Sequence, residues 1–261
     1  MKNSKNCQRF IDAKGLKILF ALFMKGASSK KKTDEEREDE EHIISCITSL
    51  LQFLGGLPSF STDPNNKSNN NNNNNNNNST SSDHPREEAD GNTMVRNLNL
   101  EVRRIIKKFR EQGFEKTDRL MELFEKYKKR VDDFDRRVQS GQVQRVLAAT
   151  TGNEEDVTED DIYLEKLEAG YFVLQQICLI LVFAACDDTI KQRVLVHLKQ
   201  LGIDKTEIKK ILTDFIKSIG EESSRPSSAS PSSSASISTE TSSMDIKGLK
   251  SRILEIAGHF E

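Results

Sequence analysis

The chain has 261 residues, a net charge of −2, 31% charged residues and 35% hydrophobic ones. That length admits one or two ordinary domains, and the near-neutral charge excludes a chain that coats nucleic acid by electrostatics alone. Two polar tracts exclude a chain folded from end to end. One runs from about Ser59 to Asp90 around the asparagines Asn69–Asn78, and the other is the Ser-rich stretch Ser223–Ser243. Neither has enough apolar side chains to offset the entropy of ordering, so both are expected to be disordered.

Residues 1–56 come first. Phe10–Gly15 is expected to close one helix, with Gly15 placed for a left-handed end. Leu16, Leu19, Phe20 and Phe23 then stripe a second helix ending near Gly26. Lys30–Lys32 and the acidic run Asp34–Glu41 read as one solvated loop of both signs. Ile43, Ile44, Ile47, Leu50, Leu51 and Leu54 build a third helix, stopped by Gly55-Gly56. A helix, a Gly turn and a Leu-rich helix is the local pattern of an armadillo-type repeat, which buries its faces only by stacking.

The next block, 93–220, follows an Asn-rich insertion at 57–92. Val95, Leu98, Val102, Ile105 and Phe109 recur at helical spacing. Thr117 is expected to cap a longer helix striped by Leu120, Phe124, Tyr127, Val131, Phe134 and Val138. That spacing is heptad-like, so a coiled coil is an alternative, but Met121 and Leu123 widen the stripe and favour a packed hairpin. Glu122–Lys126 and Glu125–Lys129 are expected i,i+4 pairs on the outer face. Arg103, Arg104, Lys107 and Lys108 lack interleaved surface aromatics, so they read as a solvated face rather than an RNA-binding one.

The acidic loop Glu154–Asp161 lacks the glycine and the ligand spacing of a calcium loop. Thr158 and Asp161 make a Thr-x-x-Asp capping box instead. Beyond it, Ala169–Cys186 contains no charged residue. A membrane span needs about 20 predominantly apolar residues, and this run is shorter, includes Gln175 and Gln176, and has acid on both flanks. A helix apolar nearly all round is otherwise buried, so this one is expected to be the central post of the fold. Ile190, Val194, Leu198 and Leu201 form the next helix, ended by Gly202. Asp204 and Glu207 cap another, with Ile208, Ile211, Leu212, Phe215 and Ile219 on its buried face. After a disordered Ser-rich insertion at 221–243, residues 244–261 form a closing helix striped by Ile246, Leu249, Ile253, Ile256 and Phe260. It is expected to fold back onto the core.

No strand periodicity competes with these helices, so the fold class is all-α. Chemistry is sparse. His42, His84, His197 and His259 are far apart and form no ligand motif. Phosphate-binding, dinucleotide and hydrolase signatures are missing. Cys7, Cys46, Cys178 and Cys186 read as reduced thiols of an intracellular protein, mostly in the core, and Asn3–Arg9 is too polar for a secretory leader. No catalytic, cofactor-binding or metal residue is therefore assigned, and no cofactor is expected. Protein-binding residues are left unassigned. Ser230-Pro231 offers a phosphorylation motif of the kind any Ser-rich tract contains.

Several stretches in order carry a resemblance. They are GLKILFALFMK (Gly15–Lys25), EEHIISCITSLL (Glu40–Leu51), EKTDRLMELFEKY (Glu115–Tyr127), the segment Leu164–Cys186 with LEAGYFVLQQIC, IKQRVLVHLKQLG (Ile190–Gly202) and RILEIAGHFE (Arg252–Glu261). Together they resemble the C-terminal part of the beta-catenin-like armadillo-repeat proteins of the spliceosome. The family's longer N-terminal repeat array has no counterpart, so the chain reads as a truncated, split or incomplete copy. The resemblance implies an armadillo-like α-solenoid end with a C-terminal helical bundle. It also implies a nuclear, non-catalytic scaffold in pre-mRNA splicing, associated with the Prp-nineteen complex. Its partners would be splicing-factor proteins, met through basic localisation segments, with no direct nucleic-acid or membrane contact; a homodimer stays open. Alternatives are a nuclear-import-type adaptor binding basic localisation peptides and a membrane-associated helical protein using Ala169–Cys186.

Overall fold

The computed structural model describes residues 2–25, 34–54, 98–151, 157–220 and 258. Both polar tracts, Lys30–Lys32, Val95, His84, His259 and the closing segment apart from Gly258 lie outside them. Every regular element among the described residues is helical: α1 Lys2–Asp12, α2 Gly15–Lys25, α3 Asp34–Leu54, α4 Leu100–Arg110, α5 Glu115–Gln139, α6 Gln142–Thr151, α7 Glu159–Lys166, α8 Phe172–Ala184, α9 Asp188–Gln200 and α10 Thr206–Gly220.

The apolar segment decides the arrangement. Every α8 residue from Val173 to Ala184 is buried, and α3, α5 and α10 pack along it, with α4 and α9 closing the remaining sides. Burial of each Val, Leu, Ile or Phe side chain contributes about 1.5–3 kcal/mol, so this helix has no stable place outside the core. The helical stretch Glu159–Ala184 is long and apolar enough to cross a membrane, yet 78% of its most apolar window is buried against the rest of the chain. Both glutamines of this stretch lie inside the packing. Gln175 is buried, and Gln176 accepts a 2.9 Å hydrogen bond from the Ser45 hydroxyl of α3.

That helical stretch is broken where α7 passes into α8. Leu167–Tyr171 forms a π-turn with Gly170 at φ 110°, the kind of local insertion that appears as a single turn inside longer helices. A Cβ at Gly170 would sit 2.7 Å from the Tyr127 ring of α5. Glycine is therefore required twice there, by backbone angle and by close approach. The expected capping box at Thr158 and Asp161 is present.

The first three helices pack on one another, and their buried faces join the same continuous core as α4, α5 and α8–α10. Phe20 meets Phe109 edge-to-face at 5.2 Å, tying α2 to α4. The Asn99 side chain caps α4 by accepting from the Val102 amide at 2.9 Å, and its amide also donates to the Leu54 carbonyl at the end of α3. The ends flanking the Asn-rich tract are thus fastened together, so the intervening length adds only a slowly growing closure entropy.

Four expectations need correction. Lys14, not Gly15, takes the left-handed turn conformation, at φ 62°; Gly15 is needed because a Cβ there would strike the Phe10 ring at 2.5 Å. Asp34–Glu41 is not a loop but the first half of α3, since its carboxylates favour a helix N-terminus. Thr117 does not cap α5, which starts after a left-handed Phe114; its hydroxyl donates instead to the Phe109 carbonyl at 2.9 Å. Glu122 pairs with Arg119 rather than Lys126, at 2.9 Å, because Lys126 is drawn to Glu40. Helix α6 appears where no helix was anticipated. Cys46 is exposed and Cys7 only half-buried, leaving Cys178 and Cys186 as the core thiols.

Replacing Gly170 by Ala should destabilise the chain by about 2–4 kcal/mol, combining left-handed backbone cost with overpacking against Tyr127. Urea unfolding of the variant checks this, with Gly113→Ala as the control, since nothing lies within 4 Å of a Cβ there. Equal losses in the two variants would refute the close-approach argument.

Candidate protein-binding surface

Glu40 is buried, at 7% exposure, within the acidic run Asp34–Glu41. Its carboxylate accepts from the Arg119 guanidinium at 2.9 Å and pairs with the Lys126 ammonium. The Tyr127 hydroxyl lies 3.3 Å from Glu40 and 3.2 Å from Glu41, donating to one carboxylate at a time. Burial first, then these two carboxylates, push the Tyr127 phenol well above its ordinary range. The group joins α3 to α5. Glu35, Glu36, Glu38 and Asp39 of the same helix are exposed, while Glu41 is half-buried.

A second polar junction links α5 to α9. Asp118 accepts two 2.8 Å hydrogen bonds from Arg193 and lies 2.8 Å from His197 Nε2. Arg193, and after it His197, hold the Asp118 carboxyl below its ordinary range. A third joins the π-turn before α8 to α10, where the Tyr171 hydroxyl donates to Asp214 at 3.1 Å. His197 is thus part of a surface junction, and His42 is exposed on α3. Among the described residues no group of three His, Cys, Asp or Glu side chains is placed to hold a metal ion. Burial pushes the Cys186 thiol up to about 12 and raises Cys178 as well, which suppresses the thiolate needed for nucleophilic chemistry.

The basic residues of α4 remain on the surface. Arg103, Arg104 and Lys107 are exposed, Arg103 donates to the Leu98 carbonyl, and Lys108 pairs with Glu111 at 3.0 Å. Large apolar side chains are exposed at several places, among them Leu100, Leu164 and Val196. Ile18 at 64% and Leu22 at 46% lie one helical turn apart on α2. A cleft of about 280 Å³ lies between α5, α6, the end of α7 and the turn after it, with Phe134, Val143, Val146, Glu165 and Glu168 among its lining residues. Part of its lining comes from α6. The 3-4 spacing of Val143, Val146 and Leu147 after the left-handed Gly141 was the signal that could have found it.

Among the described residues the core is all-helical, as in proteins built from stacked helical repeats. The family described as catenin-beta-like, Arm-motif containing, nuclear matches residues 1–60 and 57–213. The chain belongs to this family. Beta-catenin-like protein 1 from Bos taurus, from Mus musculus and from Homo sapiens is in each case 30% identical over 224 residues, 84% of this chain. The chain spans 32% of the length of those relatives. The catenin-beta-like resemblance seen in the sequence therefore holds, and the Arm-motif description agrees with the all-α fold.

The Glu40 junction makes a quantitative prediction. Glu40→Ala should cost about 1.5–3 kcal/mol, because the buried Arg119 loses its buried carboxylate partner and is left with the solvent-exposed Glu122, whereas Glu40→Leu with Arg119→Met should recover most of that loss. Chemical denaturation of both variants measures it. A loss below about 1 kcal/mol in Glu40→Ala would show that the pair is not a buried ionic contact.

Proposed function

We propose that the chain is a non-catalytic protein-binding scaffold acting in the nucleus in pre-mRNA splicing, in association with the Prp-nineteen complex. The observation that carries this reading is membership of a family described as nuclear and Arm-motif containing. Armadillo-type units stack into extended surfaces that bind other proteins. The polar interior fits the same reading, since Glu40, Asp118 and Asp214 are all engaged in joining helices.

The binding chemistry follows from what the fold leaves outside. Glu35, Glu36, Glu38 and Asp39 form an exposed acidic face on α3. Such a face attracts lysine- and arginine-rich segments and raises their association rate. Splicing-factor proteins bearing basic localisation segments are the proposed partners.

Affinity capture from nuclear extract with the full chain as bait tests the proposal, with bound proteins identified by mass spectrometry. Splicing-complex proteins should be recovered, and Glu35→Lys with Glu38→Lys and Asp39→Lys should reduce their recovery several-fold in low salt. Recovery of import receptors without splicing proteins would instead support an import adaptor. Recovery of neither would overturn the splicing reading.

A further inference from the structure

Charge is distributed unevenly along the chain. The first hairpin, residues 2–25, carries six cations, Lys2, Lys5, Arg9, Lys14, Lys17 and Lys25, against one carboxylate, Asp12, so it is +5 within a chain of −2. Lys5, Arg9, Lys14, Lys17 and Lys25 are exposed, and among the described residues none of them is in an ion pair. Asp12 is engaged by the Gln8 side-chain amide at 3.1 Å. Elsewhere Arg119, Lys126, Lys128, Lys166 and Arg193 each meet a carboxylate.

These cations sit beside exposed aliphatic surface. On α2, Leu16, Leu19, Phe20 and Phe23 face the core, which leaves two neighbouring rows outside. Lys17, Ala21 and Lys25 form one at four-residue spacing, and Ile18 and Leu22, at 64% and 46% exposure, form the other. Rows of that spacing are the ridges by which helices interlock. The short Ala21 leaves a gap between the two lysines where an incoming side chain can lie against Ile18 and Leu22.

Chemistry selects the partner. Nucleic acid would use the cations but has no role for two aliphatic side chains, because bases stack on aromatic rings. Phe10, the exposed aromatic of the hairpin, has its ring laid over Gly15. A bilayer would need the larger apolar face, and that face of α2 is buried. A helix with aliphatic residues on one side and carboxylates along its border answers both rows at once.

We propose that the outer face of α2 docks an acidic amphipathic helix of another protein. Its aliphatic side chains pack on Ile18, Ala21 and Leu22, and its carboxylates pair with Lys17 and Lys25. Lys5, Arg9 and Lys14 draw the segment in from a distance. This face is opposite in charge to the acidic start of α3, so the two surfaces take different partners.

Fluorescence anisotropy with the full chain tests this. The probe is a labelled synthetic helix with leucines along one face and glutamates along its borders, compared with a peptide of the same composition in scrambled order. The ordered peptide should bind several-fold more tightly than the scrambled one, and more weakly as salt is raised. Ile18→Gln with Leu22→Gln should weaken it by roughly tenfold or more, since each aliphatic group withdrawn from an interface forfeits its burial, while circular dichroism stays unchanged. Lys17→Glu with Lys25→Glu should lower binding of this peptide several-fold and confer binding of one with lysines in place of its glutamates. Equal binding of the ordered and scrambled peptides, binding that the Ile18 and Leu22 changes leave intact, or no binding would overturn the proposal. Tighter binding of a single-stranded RNA of equal charge would make the face a nucleic-acid site. A dimer that Ile18→Gln with Leu22→Gln dissolves would make it a contact between copies of this chain, and either result overturns the proposal as well.

Discussion

Everything in this fold answers to the need to cover α8 on all sides. An amphipathic helix can lie on a surface, but a helix with apolar side chains around its whole circumference cannot. Covering it takes α3, α5 and α10 along its length and α4 and α9 around the rest. Each covering helix is itself amphipathic, with one buried stripe and one charged face. Among the described residues, charged side chains therefore lie outside the core apart from a few such as Glu40, Lys116, Arg119 and Asp187.

Apolar contact fixes that the helices associate, but it is weakly directional, and the register between them comes from a few polar junctions. Glu40 with Arg119 and Lys126 sets α3 against α5, Asp118 with Arg193 and His197 sets α5 against α9, and Tyr171 with Asp214 sets the π-turn before α8 against α10. Tyr127 belongs to two constraints at once. Its hydroxyl meets the acids of α3, while its ring leaves room only for the glycine of the π-turn. The break in the long apolar stretch and the burial of Glu40 are thus two consequences of one side chain.

Much of this was legible from residue pattern because periodicity and capping are local signals. The central helix, the Thr158 box and the stop at Gly202 are each written in a few adjacent residues. What escaped depends on partners distant in sequence. Nothing local distinguishes Glu40 from Glu38 or Glu41; only α5, some 80 residues on, selects it for burial. The same holds for Lys126, whose preference for Glu40 over Glu122 is a tertiary choice. The residue type marks Gly15 as special, but the Phe10 ring rather than a turn angle demands it, and that contact is not written in the local pattern. On the binding side, the acidic run was visible, but its helical presentation was not. The cleft was missed because α6 is short, with Val143, Val146 and Leu147 as its only large apolar residues.

Hydrogen exchange followed amide by amide tests the central role of α8 most directly. Core elements exchange only through global unfolding, whereas peripheral ones open locally at lower cost. The amides of Phe172–Ala184 should be the slowest in the chain, with opening free energies equal to the global unfolding value and falling with it in denaturant. Exchange of α8 faster than that of α2 or α9, or without dependence on denaturant, would contradict a fold organised around this helix.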